Sequence, residues 1–249
     1  MAGSSHFARI MIKTSRRWIL AAGLFAACAV GARAAAAESP LVDALAVAAP
    51  TLDGAVLRLA VSAMQCATAA GASPARRLAV IDYSLPSSQS RLWVFDLHAR
   101  TLIYEELVAH GRNSGEDKAT SFSNQPDSHQ SSLGLFRTDQ PYVGRNGYSL
   151  RLDGLEPGVN DRARERAIVL HGAPYVDPQW AARHGRLGRS HGCPAVRPAI
   201  ARSLIDLLKD GQFVFSYYPD RDWLASSRYL NCAATPIEAR AVPADPHQG

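Results

Sequence analysis

Apolar positions change their period along the chain, and each change predicts an element. Between residues 40 and 70, Val56, Leu59, Ala60, Ala63, Met64 and Ala67 recur three and four apart, the spacing of one helix face. Thr51 and Asp53 stand where a cap and a first-turn acid belong, and Gly71 stands at the stop, so this stretch predicts helix. Past Ser73-Pro74, runs rich in β-branched and aromatic residues at 78–83, 91–97 and 101–108 predict strands. The last two are separated by His98, Ala99 and Arg100, a hairpin-length gap. Further strands are predicted at 133–137, 148–152 and 212–218, and the fully apolar run 167–170 predicts a buried central strand. Residues 198–209 read as helix, with Pro198 in the first turn and Leu204, Ile205, Leu207 and Leu208 facing inward. Beyond Pro219 the chain is polar and proline-rich, which predicts a loose tail apart from 230–232. The expectation is one mostly β domain over 76–219, a helical segment over 38–72 and a C-terminal tail over 220–249.

Residues 110–132 fit no period. Phe122 is the one large apolar residue in a stretch of Ser, Asn, Gly and His. A loop of this length inside a compact domain is usually functional or disordered, and its composition favours turns and hydrogen bonding.

The N-terminus has its own logic. Arg9, Lys13, Arg16 and Arg17 precede 13 apolar or small residues, 18–30, and then an Ala-rich stretch, 32–37, that includes Arg33. A charged region, a short apolar run and an A-x-A-like site describe a secretory signal peptide over 1–37. An uncleaved anchor is the alternative, although the apolar run falls short of the roughly 20 residues of a membrane span. Residues 15–20 (Ser-Arg-Arg-Trp-Ile-Leu) also look like a twin-arginine export signal. The expectation is an exported, periplasmic or cell-envelope protein.

Composition then changes the picture in one respect. The 249 residues carry a formal net charge of +5, which would ordinarily point to nucleic acid or an anionic membrane. The signal segment holds five basic residues and no acid, and without it basic and acidic residues balance at 22 each. A nucleic-acid partner is therefore not expected. Cys66, Cys193 and Cys232 remain after cleavage, so in an oxidising compartment two can pair and one is left over.

The candidate chemistry lies in 185–196 (Gly-Arg-Leu-Gly-Arg-Ser-His-Gly-Cys-Pro-Ala-Val). Gly185, Gly188 and Gly192 mark tight turns or a close backbone approach, and Cys193 follows the last of them. The apolar run 167–170 delivers His171-Gly172 at its end, so a Cys/His nucleophile pair for acyl transfer is available. Arg186, Arg189 and Arg197 are near in sequence and would lower the thiol's pKa. The backbone N–H groups of Gly192 and Cys193 are candidate oxyanion donors. A buried structural cysteine, or a zinc site using His171, His184, His191 and Cys193, are the competing readings. The zinc reading lacks two ligand pairs at the usual spacing, and no metal or cofactor is expected.

Residues 190–193 (Ser-His-Gly-Cys), preceded by His171-Gly172, resemble the signature of the L,D-transpeptidase catalytic domains of bacterial cell-wall synthesis. Residues 132–136 (Ser-Leu-Gly-Leu-Phe) resemble the strand motif that precedes it. The fuller resemblance is to the murein L,D-transpeptidase catalytic-domain branch of the YkuD-type superfamily. It runs through 80–82, 110–115, 121–124, 128–134, 148–154 and 185–194, and so covers roughly 78–218. It implies a β-sandwich or barrel domain and peptidoglycan stem peptides as substrate. It also implies Cys193 as nucleophile forming a thioester, His171 as base, Gly172 orienting it, and His191 beside the oxyanion hole. Arg189, Ser190, Ser132 and Arg112 become candidates for holding substrate carboxylates, and carbapenem-type inhibitors become expected ligands. An L,D-carboxypeptidase with water as acceptor, and a non-catalytic wall-binding domain, stay open. Two departures stand out: Ala195 occupies a position that is Arg in many members, and the segment from His171 to Cys193 is long. If the resemblance makes Cys193 a thiol that must stay reduced, Cys66 and Cys232 are the pair available for a disulfide.

Overall fold

The computed structural model describes residues 39–232, so the expected signal segment and residues 233–249 of the tail lie outside the described residues. Everything below concerns the unit that begins at Glu38, within its described residues. Among the described residues no helix is long and apolar enough to cross a membrane.

The helix expected over 40–70 is two helices, α1 (Pro40–Ala48) and α2 (Gly54–Ala69). Pro50 is the reason: it has no N–H to donate, and it forces Ala49 out of helical geometry, to φ −132°. The chain re-enters helix at Asp53, whose carboxylate accepts the Ala55 N–H at 2.6 Å. The stripe Val56, Leu57, Ala60, Val61, Ala63, Met64 and Ala67 is buried against the sheet.

Eight strands form one sheet in the order β3-β2-β1-β8-β4-β5-β6-β7. They are β1 (Arg77–Asp82), β2 (Leu92–Asp96), β3 (Thr101–Glu106), β4 (Gly134–Gly144), β5 (Gly147–Gly154), β6 (Val169–Gly172), β7 (Ala195–Val196) and β8 (Phe213–Tyr217). β1 pairs with β8 and β6 with β7 in parallel; the other pairs are antiparallel. The β2–β3 turn is held by Asp96, whose carboxylate accepts the N–H groups of His98 and Ala99 at 2.9 Å each. β1 and β8 are buried on both faces, which is why they read as continuous apolar runs, whereas β3 alternates as an edge strand does. Just past β3, Ala109 bridges to Ala195 of β7, so the two edges of the sheet approach each other and the sheet is nearly closed, like a barrel. Trp93, Phe95, Leu135, Phe213 and Phe215 are among the largest fully buried side chains of the core. α3 (Pro178–His184) sits in the connection between β6 and β7, and α4 (Pro198–Leu208) packs its apolar face on β6.

The tail is not loose from residue 220. α5 (Arg221–Ser226) is capped by Asp220, and Trp223 is buried. The buried carboxylate of Glu156 accepts Trp223 Nε1–H at 3.1 Å, Ser227 Oγ–H at 2.6 Å and the Leu135 N–H at 2.8 Å. A buried carboxylate is costly unless it collects donors, and the C-terminal segment supplies two of the three.

Cys66 of α2 and Cys232 are joined as a disulfide with Cα atoms 6.3 Å apart, closing a loop across 166 residues. Replacing both by Ser is expected to lower unfolding stability by about 2–5 kcal/mol, because the unfolded chain regains the loop's entropy. Denaturant titration of the oxidised protein reads this directly, and an unmoved midpoint would show that the link carries no stability.

Candidate active site

β6 and β7 build the site. They pair in parallel with His171 opposite Ala195, so His171 and the residues just before β7 lie side by side. The expected strand at 167–170 is displaced to Val169–Gly172, because Ala167 has φ +52° and cannot enter the ladder. His171 is therefore inside the strand rather than past its end, and it is buried. Its Nδ1 donates to the Gly172 carbonyl at 3.0 Å, which leaves Nε2 without a proton and free to accept one. Burial holds the imidazolium below its ordinary range, so the ring is neutral near pH 7.

Cys193 follows Gly192, whose φ of +119° favours glycine. A Cβ at Gly192 would also stand 2.8 Å from the Gln130 carbonyl. The Cys193 thiol is buried and donates to the Ala167 carbonyl at 3.6 Å, while the Val169 N–H donates to Sγ at 3.5 Å. In this rotamer the sulfur's partners among the described residues are the β6 backbone, not the His171 ring. Burial pushes the thiol up from its ordinary range; the Val169 N–H and the Arg166 guanidinium oppose that without cancelling it. The expectation of a thiol lowered by its sequence neighbours is corrected here. Arg186 and Arg189 both pair with Glu116, and Arg197 pairs with Glu106.

The loop 110–132 is an ordered scaffold for the turn. Ser190 N donates to His110 O at 2.9 Å, Arg112 N to Ser190 O at 2.8 Å, and Ser131 Oγ to Gly192 O at 3.0 Å. Ser190 Oγ donates to the Cys193 carbonyl at 2.6 Å and accepts the Gly192 N–H at 3.1 Å. The Gly192 amide, expected as an oxyanion donor, is thus already engaged, which leaves the Cys193 amide for that role. Behind the loop, buried Arg91 donates to His110 Nδ1 at 2.8 Å, and burial together with that guanidinium lowers His110 to about 4. His110 stays neutral, with Nε2 donating to Gly115 O at 3.3 Å.

The four expected carboxylate-holding residues separate. Ser190 and Ser132 are buried, and Ser132 Oγ is spent on the Ser123 carbonyl and on Arg166. Arg189 is tied to Glu116 and to the carbonyls of Arg112 and Gly115. Internal partners take these three side chains out of the open face. Arg112 is exposed, and so is His191, whose ring lies edge-on against His129 with centroids 4.5 Å apart. Partial burial, then the neighbouring Arg112, His129 and Arg145, lower the pKa of His191, and Arg112 and Arg145 are the exposed positive charges at this edge. Among the described residues no three His, Cys, Asp or Glu side chains gather as metal ligands, so the four-residue zinc set does not assemble.

Sequence reasoning missed His129, Arg145 and Arg166. Arg166 lies 27 positions before Cys193, and only the sheet brings them together. The available signal was a basic run, Arg162, Arg164 and Arg166, leading into the strand that carries His171.

Fold and site together define a mostly β domain that sets a buried cysteine beside a backbone-oriented histidine on paired strands. The family model described as L,D-transpeptidase catalytic domain matches residues 48–217, and the chain belongs to that family. Solved structures it is similar to include an L,D-transpeptidase from Mycobacterium smegmatis, at 15% identity over 58% of this chain and 59% of that one, with a TM-score of 0.36. One from Stackebrandtia nassauensis matches at 14% identity over 71% and 76%, with a TM-score of 0.34. L,D-transpeptidase 3 from Mycobacterium tuberculosis, solved with a faropenem-derived adduct, matches at 16% identity over 57% and 60%, with a TM-score of 0.34. The chain spans about three fifths of the length of the first of these relatives. No curated protein matched it by sequence.

Proposed function

We propose that the protein is an exported cell-envelope L,D-transpeptidase that acts on peptidoglycan stem peptides through a Cys193 thioester. The observation that supports this reading is the β6–β7 pairing, in which His171, with Nδ1 committed to Gly172 O, lies opposite Ala195, two residues past Cys193. The neutral thiol rotates off the β6 backbone, passes its proton to His171 Nε2 and attacks the carbonyl of an L-configured residue. The Cys193 N–H meets the oxyanion. Collapse breaks the bond to the terminal D-amino acid, whose amine leaves with the proton from His171. The amine of a second stem peptide then attacks the thioester, gives its proton to His171, and releases the thiol and a cross-link. Arg112, His191, His129 and Arg145 form the rim that receives substrate carboxylates.

Incubating the protein with a stem tetrapeptide tests this. Release of the terminal D-amino acid, with product partitioning into a cross-link as acceptor amine is added, supports transfer. Release without partitioning favours hydrolysis, and no release at all contradicts an enzyme. A raised thiol and a lowered imidazole also fix the pH dependence. Activity requires neutral His171, so kcat/KM is expected to hold through neutrality and fall only as pH drops through a midpoint below 6.5, the ordinary imidazole value. An acid limb centred above 6.5 would contradict His171 as the buried base.

A further inference from the structure

We propose that Arg166 is a positioning residue for Cys193. Its guanidinium staples the serine-rich loop beside the nucleophile turn and holds a positive charge, unmatched by any carboxylate partner among the described residues, where the thiolate forms. The proposal rests on the reading of Cys193 as the reacting thiol.

Three arginines stand close together before β6, and their partners differ in kind. Arg162 pairs with Glu165, and Arg164 pairs with Asp139 and Asp153. Arg166 donates through Nη1 to Ser123 O and Ser132 Oγ, both at 2.5 Å, and through Nη2 to Ser128 Oγ at 3.1 Å and Gln130 O at 2.6 Å. All four partners are neutral. Burying a guanidinium without a counter-ion costs free energy, and burial does disfavour its charge here. A side chain whose only task was to tie a loop down would not need that charge.

Position gives the charge a task. Arg166 directly precedes Ala167, whose carbonyl receives the Cys193 thiol. A Cβ at Gly192 would lie 3.5 Å from Arg166 Nη2, so the guanidinium abuts the turn that ends in Cys193. Both Nη groups have spent their hydrogens, so Arg166 offers no two-pronged fork to a substrate carboxylate. What remains is its field. The other titratable groups facing the sulfur are neutral near pH 7: Tyr83 and Tyr175, each pushed up to about 12 chiefly by burial, and His171 on β6. Arg166 and the Cys193 thiolate favour each other's charged forms.

The test is the pH dependence of Cys193 alkylation by iodoacetamide, in which the thiolate displaces iodide, followed on the Cys193 peptide by mass spectrometry. Arg166→Gln is expected to raise the titration midpoint by about one pH unit and slow alkylation at pH 7 about tenfold. Arg166→Lys keeps the charge but loses the four-bond fork, and is expected to leave the midpoint near that of the wild type. An unmoved midpoint in Arg166→Gln overturns the proposal. So does a Lys variant whose midpoint rises as far as the Gln variant's, because the role would then be packing alone. Should Arg166→Gln fail to fold by near-ultraviolet circular dichroism, Arg166→Met, which keeps an apolar stem without the charge, takes its place with the same outcomes: a rise of about one unit supports the proposal and an unmoved midpoint overturns it. A wild type in which Cys193 never alkylates at any pH removes the thiol reading itself, a distinct failure.

Discussion

Cys193→Ala is expected to abolish release of the terminal D-amino acid, with a loss of at least about 10³-fold, while the fold is retained. The step needs a covalent acceptor for the acyl group, and the described residues hold one free cysteine. Ser at this position is expected to be equally inactive. A hydroxyl loses its proton far less readily than a thiol, and His171 is a neutral imidazole whose basicity burial has weakened. The small size of the change keeps the structural cost low, so thermal melts of wild type and variant should nearly coincide. Retained turnover in a folded Cys193→Ala protein would remove the thioester from the mechanism.

His171→Gln is expected to slow acylation by about 10²–10⁴-fold and to erase the acid limb of the pH profile. The second readout separates a base from a packing residue. Because burial raises the thiol, the reaction does not begin from a standing thiolate, and the proton must have somewhere to go as the sulfur attacks. Nε2 is the group prepared for it, since Nδ1 is committed to Gly172 O. A variant that lost rate but kept the acid limb would place the titrating base elsewhere.

The order of strands along the chain was legible in the periodicity, because β1, β2, β6 and β8 are apolar runs whose burial follows from their composition. Boundaries failed where a single backbone angle decided them. Pro50 split the N-terminal helix, and Ala167 at positive φ moved β6 so that His171 fell inside it. The tail read as loose because its composition is polar, yet Trp223 and Ser227 find the buried Glu156, a long-range match that no local pattern carries.

The candidate site divides along the same line. The backbone that brings Cys193, His171 and Gly172 near one another was legible, because two short strands and a glycine turn set it. The electrostatics were not. Arg186, Arg189 and Arg197 are near Cys193 in sequence but turn to Glu116 and Glu106, whereas the guanidinium that abuts the Gly192–Cys193 turn is that of Arg166, just before the neighbouring strand. Ser132 and Ser190 carry the right chemistry for a ligand but spend it on the loop and the turn they hold in place.

Intact-protein mass spectrometry after incubation with a carbapenem, followed by peptide mapping, decides whether Cys193 is the acylated thiol. One covalent adduct is expected, located on Cys193 and missing from Cys193→Ala. A folded wild-type protein that gives no adduct, or one that persists in Cys193→Ala, would contradict it.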